Sequence, residues 1–272
     1  MSAWQRGIKY AALALAALLC LTILGGILQG LSFLPSLFGG VEKPAGEMKT
    51  YDIAEEIRSL DIDLSAAELT IRSGDRFEVE SNLTSLSVVN QDGRVKIEEK
   101  SRWTTGKNRA QVTVTIPRDT VFDRAKLSTG AGLVHIEDLE AKDLELDLGA
   151  GKVEISRLCA TERADIDGGV GSLTVSSGTL HNLDLDMGVG KLELTAKLTG
   201  QSKLDMGVGA AELTFIGQEN YRILVDKGIG SINVAGNDLA DGAVFGTGDT
   251  LVQVDGGVGS IRIRFLPEVS AT

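Results

Sequence analysis

The sequence is poor in the residues that carry most protein chemistry. It holds two cysteines and two histidines in 272 residues. Cys20 and Cys159 form no Cys-x-x-Cys pair, and with only His135 and His181 beside them they do not supply a zinc or dithiol redox site. Nor do they form a staple, because Cys20 lies in an apolar N-terminal run and Cys159 among repeats. A large stacked core does not need disulfides, so the cysteine count is compatible with either side of a membrane. Four prolines against 33 glycines suit a chain of many short turns, and helix-favouring patterns are rare beyond residue 50. Basic residues are in deficit. Of 27 Lys and Arg, Arg6 and Lys9 precede Glu42, so the remainder face all 38 acids. That balance excludes nucleic acid, whose phosphates must be neutralised by cations, and disfavours an anionic membrane face. It suits a soluble domain.

Charge is absent altogether from Tyr10 to Gly40, and Ala11 to Leu28 is almost wholly apolar. A run of that length spans the hydrocarbon as a helix. Arg6 and Lys9 flank it on one side, whereas Glu42, Lys43, Glu47 and Lys49 cancel on the other. The positive-inside rule then leaves the N-terminus in the cytoplasm and the bulk of the chain outside. A cleavable signal peptide fits less well, since the apolar core is too long and no small-x-small site follows it. A lipoprotein signal fails because Leu19 precedes Cys20 where a small residue is needed. Residues 1–34 are thus expected to be a cytoplasmic tip and signal-anchor helix of a single-pass protein of the cell membrane. Residues 35–50, with Pro35, Gly39, Gly40, Pro44 and Gly46, read as a linker.

What the chain has in abundance is one phrase, Asp-x-Gly-x-Gly. It stands at Asp147-Leu148-Gly149-Ala150-Gly151, Asp167-Gly168-Gly169-Val170-Gly171 and Asp186-Met187-Gly188-Val189-Gly190. It returns at Asp205-Met206-Gly207-Val208-Gly209, Asp226-Lys227-Gly228-Ile229-Gly230 and Asp255-Gly256-Gly257-Val258-Gly259. A worn copy, Ser128-Thr129-Gly130-Ala131-Gly132, lacks the acid. From first glycine to first glycine the steps are 19, 20, 19, 19, 21 and 29 residues. A fixed period of this size marks a solenoid, whose repeats bury their apolar sides against their neighbours.

The flanks identify the kind. Leu183-Asp184-Leu185-Asp186-Met187 alternates before the glycines and Leu192-Glu193-Leu194-Thr195 alternates after them. Period 2 is a half-buried strand. Leu146, Leu148 and Ala150 share one expected inner face, but the next are Val153 and Ile155, so parity slips across the glycines. Two glycines let the chain make such a corner without Cβ clashes, and Gly188 and Gly207 are expected to sit in strained backbone that only glycine tolerates. The fold class is all-β: a single-domain β-solenoid of coils of about 19–21 residues after one transmembrane helix. Asp61 to Ile71 lies over Glu145 to Ile155 with small residues replacing glycine. Residues 51–126 therefore read as irregular N-terminal coils and cap, 127–267 as the regular repeats, and 268–272 as a tail after Pro267.

The Ile116-Pro117 strand end, the Ser128 to Gly132 phrase and the repeated corners together resemble the "putative adhesin" β-strand-repeat family, also called toast-rack domains, over roughly residues 55–265. The resemblance implies a stacked β fold in a bacterial or archaeal envelope protein. Some members stand with membrane-stress regulators that carry an N-terminal transmembrane helix. It implies no catalytic residues.

Three chemical readings of the repeats remain. A nucleotide-binding Gly-x-Gly must open a helix, and every copy here precedes a strand. The aspartates Asp147, Asp167, Asp186, Asp205, Asp226 and Asp255 should stack about 4.8 Å apart from coil to coil. They are expected to point to water and to accept amides of their own turns, with Lys152 and Lys191 near enough to relieve two rungs. Weak divalent-cation binding along the row is the alternative, although calcium-binding solenoids place the acid after the glycines. A polysaccharide-cleaving solenoid needs paired carboxylates in a cleft of long loops. Only 236–250 exceeds the repeat, and it reads as a mobile surface loop; both histidines read as surface residues. The expectation is a non-enzymatic, cofactor-free binding or scaffold module of the envelope. Its partner is another membrane or envelope protein, as in stress regulation, or, in the adhesin-like alternative, a surface polymer or cell.

Overall fold

The computed structural model describes residues 45–53, 56–100 and 110–268. The expected membrane helix and most of the linker lie outside the described residues, and no described helix is long and apolar enough to cross a membrane. The described chain is strand throughout, apart from one 3-10 turn at Gln218–Asn220. It opens with β1 (Ala45–Asp52), which begins inside the stretch read as linker, and β2 (Ser59–Gly74). There follow β3 (Glu78–Leu83), β4 (Leu86–Gln91), β5 (Arg94–Glu99) and β6 (Gln111–Pro117). The repeats run through β7 (Phe122–Asp167), β8 (Val170–Val175), β9 (Gly178–His181), β10 (Leu183–Thr199), β11 (Gln201–Ile216) and β12 (Tyr221–Val234). Two short strands, β13 (Asn237–Asp238) and β14 (Val244–Phe245), precede β15 (Thr250–Leu266).

Alternation dictates the coil. In β10, Leu183, Leu185 and Met187 are buried, then Leu192, Leu194, Ala196 and Leu198. The odd step between Met187 and Leu192 is the corner, where the chain turns and the inward parity resets. In the middle coils a third, short stretch follows: Ala160 pairs with Leu180, and Leu180 with Leu198. Coils pair in parallel and in register, so like side chains stack. Ile166, Leu185, Leu204, Val254 and Val225 form one continuous buried row. Val175, Leu194, Leu213, Ile263 and Val234 form another. Each such side chain contributes about 1.5–3 kcal/mol by leaving water, which accounts for a large core without disulfides or metal.

Two features depart from a simple succession of coils. Ala150, expected on the inner face, is exposed, because the parity resets at Gly149 rather than after Gly151. The coils also do not stack in chain order at either end. The last strand, β15, lies between β11 and β12, so the coil of β12 is outermost. At the other end β2 is flanked by β7 on one edge and by β5 and β6 on the other. The first coil in sequence is therefore the second in space. Each terminal coil is held on both edges, which restrains the fraying expected of chain ends.

Both stack ends are covered by antiparallel strands. β3 pairs with β6, β1 with β3, and β4 with β5. At the far end β13 and β14 pair with β12. The 236–250 excursion, read as a loop, thus folds across the outermost coil, with Leu239 and Phe245 against the core and Phe245 stacked on Phe265 at 5.7 Å. Covering an edge strand removes unpaired backbone groups that would template foreign strands.

Candidate functional site: the Gly-x-Gly corner edge

The corner is built by close packing of backbone. A Cβ added at Gly190 would lie 1.8 Å from the carbonyl oxygen of Gly171, and Gly190 has φ +146°. The second glycine of each phrase from Gly132 to Gly259 has a positive φ, from +136° to +157°. The first glycine differs. Gly188 and Gly207 have no left-handed φ and are restricted by approach alone, with the carbonyl of the neighbouring coil 2.7 and 2.3 Å from the absent Cβ. Gly130, Gly149, Gly228 and Gly257 are restricted in the same way, and Gly169 alone of the first glycines adds a positive φ, +49°. The expected need to avoid Cβ clashes is thus seen at both glycines, whereas a left-handed φ is confined to the second and to Gly169 among the first.

These contacts bring the aspartates into register. Asp167 pairs with Asp186, Asp186 with Asp205, Asp205 with Asp255, and Asp255 with Asp226. The row follows the coils rather than the chain, so Asp255 sits between Asp205 and Asp226. Asp147 meets the worn copy, accepting a hydrogen bond from the Ser128 hydroxyl at 3.2 Å. Asp167 accepts the amide of Gly169 in its own turn at 3.0 Å. Asp255 instead takes the Gln253 amide group at 3.1 and 3.2 Å.

Burial, and after it repulsion, disfavours the charge of two members of the row. Partial burial raises the Asp186 pKa, and the carboxylates of Asp205 and Asp167 raise it further. Partial burial raises Asp255 as well, together with its carboxyl–carboxylate contact to Asp205. The cation that relieves the row is Lys203, 2.5 Å from Asp205 and 3.8 Å from Asp255. Lys152 and Lys191, expected to do so, instead pair with Glu154 and Glu193. They stand past the corner on the second face, where the outward residue two positions along is the nearest carboxylate. Among the described residues no three carboxylate, imidazole or thiol groups gather at metal-binding distances.

Beside the aspartates runs a row the sequence pattern hid as a wildcard, the middle residue of each phrase. Val170, Val189, Val208, Val258 and Ile229 align on adjacent coils. Ala150 and Val170 align at the near end. The five β-branched side chains span about 19 Å, four steps of about 4.8 Å. Val170 is 38% exposed, Val258 39% and Ile229 59%, whereas Val189 and Val208 between Val170 and Val258 are half-buried. The signal that marks them is the residue type, since a solvated turn seldom selects valine or isoleucine so regularly.

Elsewhere the surface offers little chemistry. His135 is exposed, whereas His181 is half-buried with Nδ1 2.9 Å from the Thr199 hydroxyl. Cys159 is a half-buried free thiol. An open depression of about 410 Å³ on the first face is lined by polar groups, among them Arg163, Asn182, Asp184, Gln201, Lys203 and Gln253. Hollows at the corners themselves hold about 10 Å³, too little for a ligand.

A parallel stack of short coils with a continuous corner edge defines a repeat protein that presents a surface. A family profile described as Toastrack DUF4097 matches residues 57–243, more than half of the chain, and the chain belongs to that toast-rack, "putative adhesin" family. Similar solved structures include a "putative adhesin" from Bacteroides fragilis, 13% identical, covering 81% of this chain and 98% of its own, with a TM-score of 0.41. A "putative cell adhesion protein" from Clostridium sporogenes is 13% identical over 81% of this chain and 99% of its own, with a TM-score of 0.35. A "putative lipid binding protein" from Parabacteroides distasonis is 12% identical over 84% and 98%, with a TM-score of 0.31. No curated protein matches the sequence. These neighbours are named as adhesins and binding proteins, not as enzymes.

Proposed function

We propose that the chain is a non-enzymatic binding or scaffold module, anchored in the cell membrane by its N-terminal helix with the stack outside. It engages another envelope or membrane protein, as a partner in envelope-stress regulation, through the corner edge. The observation that carries this reading is the apolar Val/Ile row bordered along its length by the aspartate row. An exposed apolar strip with polar margins is the usual composition of a protein-docking surface. The acidic border favours partners whose matching strip carries lysine or arginine beside apolar residues. No cofactor enters this function.

Adhesin-like binding of a surface polymer is the second reading, and the polar depression around Asn182, Gln201 and Gln253 favours it. Asn182 and Gln253 already donate to the Glu162 carbonyl and to Asp255, and their remaining hydrogen-bonding capacity, with the Gln201 amide, is what sugar hydroxyls would take up. Two tests separate the readings. Val208→Cys, in a background lacking Cys20 and Cys159, is expected to react with a membrane-impermeant maleimide in intact spheroplasts. Full protection until lysis would place the stack inside and remove both readings. Val189→Lys with Val208→Lys should then release the domain from its envelope partner while Asn182→Ala with Gln201→Ala leaves it bound. The reverse pattern supports the polymer.

A further inference from the structure

The two ends of the stack are finished differently. At the far end β12 is covered by the two-residue strands β13 and β14, whereas at the near end the longer strands β1 and β4 are both outermost among the described residues, β4 pairing only with β5. Among the described residues β3 is the only strand paired with β1. Strand β1 is eight residues long, contains no proline, and exposes Glu47, Lys49 and Thr50, with Met48 54% exposed. A long open edge is a template for another strand.

The direction of its free backbone groups follows from the ladder. The Ile53 amide donates to the Phe77 carbonyl at 3.4 Å. Hydrogen-bonded pairs alternate along an antiparallel ladder, so Tyr51 and Lys49, opposite Val79 and Ser81, turn their amides toward β3. Thr50 therefore turns its amide outward, and the same alternation carried along the strand gives Met48 and Gly46 that direction. The ladder shifts register between Ala45 and Lys49 and resumes at Ala45, opposite Leu83.

We infer that β1 is a self-complementary edge, and that two copies of this chain pair through it in antiparallel register centred on Met48. Charge selects both the occupant and the register. Centred on Met48, Glu47 of each copy faces Lys49 of the other, giving two ion pairs, and the outward Gly46 and Thr50 match across the seam. Centred on Glu47 or on Lys49, like charges stand directly opposite, which is destabilising. Centred on Thr50, Glu47 faces Ile53, Lys49 faces Tyr51, and both ion pairs are lost. A lone edge lysine blocks foreign strands; here a glutamate two positions away answers it only when the partner is the same strand. The result is a dimer whose sheets continue across the seam.

The test uses the full chain in detergent micelles, with the mass followed by sedimentation. The wild type should sediment as a dimer. Lys49→Glu should weaken dimerisation at least tenfold by setting glutamate against glutamate, and the reversal Glu47→Lys with Lys49→Glu should restore it. Unfolding midpoints of the wild type and both variants should agree at concentrations where all are monomeric, since neither side chain is buried. In a Cys20→Ser, Cys159→Ser background, Met48→Cys should give a disulfide-linked dimer on mild oxidation. Centred pairing places its Cα about 5.5 Å from its symmetry mate, within disulfide reach. Thr50→Cys, facing Gly46, should not. A monomeric wild type, with the edge covered by the chain's own preceding segment, would overturn the inference. So would a dimer indifferent to Lys49→Glu, which would belong to the membrane helix.

Discussion

Replacing Gly190 by alanine probes the corner where its two constraints coincide. The new Cβ would stand 1.8 Å from the Gly171 carbonyl oxygen and 2.8 Å from its carbon, at φ +146°. Neither atom is the end of a flexible side chain, so relief requires coils to part. Strained backbone costs about 1–3 kcal/mol, and the loss of one or two ladder hydrogen bonds adds about 0.5–1.5 kcal/mol each. The sum is about 3–5 kcal/mol, within those two ranges. At about 2–4 °C per kcal/mol for a domain of this size, the Tm should fall by about 6–20 °C. Two companions isolate the contributions. At Gly188 the approach is 2.7 Å without a left-handed φ, and at Gly236 the φ is +86° with nothing within 4 Å. Each should cost about 1–2 kcal/mol, one from contact and one from strain alone. Calorimetry on the three variants checks the order. A Gly190→Ala protein melting within about 2 °C of wild type, less than 1 kcal/mol, would refute the close-packed corner.

The aspartate row gives the second expectation. Asp186 titrates above its usual 3.8 because burial and then Asp205 and Asp167 disfavour its charge. A raised folded pKa means that the ionised form weakens the fold, and that relief comes as pH falls through the folded value. Asp186→Asn should therefore raise stability at pH 7 and lose that gain toward pH 3.8, where wild type is protonated as well. Two neighbours about 4.8 Å away repel by about 0.9 kcal/mol each in water before screening, so a gain of about 3–7 °C is expected at low salt. Millimolar calcium should leave the Tm unchanged; a rise of several degrees lost in Asp186→Asn would make the row a cation site. Tyr221→Phe is the third. The buried hydroxyl donates to the Ile216 carbonyl at 2.9 Å and accepts the Leu198 amide at 3.1 Å. Its removal should cost about 1–3 kcal/mol, seen in denaturant unfolding as a lower midpoint with unchanged slope.

The coil and its corner were legible because each rests on a local rule, period 2 on the strands and close approach at paired glycines. The coil order at the two ends was not. All coils share one inside–outside pattern, so β15 satisfies β11 and β12 equally well, and only the 29-residue step before it marks the detour. The Lys203 bridge was missed for a related reason. Its contact to Asp205, two positions along the same strand, is local, but its reach to Asp255 depends on β15 lying in register beside β11. The Val/Ile row was written in every phrase, but its exposure appears only once the corner places the middle residue outside.

The corner edge stands or falls with the order of its coils, and a disulfide reads that order directly. In a background without Cys20 and Cys159, Asp205→Cys with Asp255→Cys joins residues 50 apart in sequence but on adjacent coils. Their Cα separation of about 4.8 Å lies within disulfide reach. Asp205→Cys with Asp226→Cys joins residues nearer in sequence but two coils apart, at about 9.6 Å, beyond it. Rapid oxidation of the first pair and none of the second is the expected result. Cross-linking of the second pair and not the first would show the coils stacked in chain order and contradict the account.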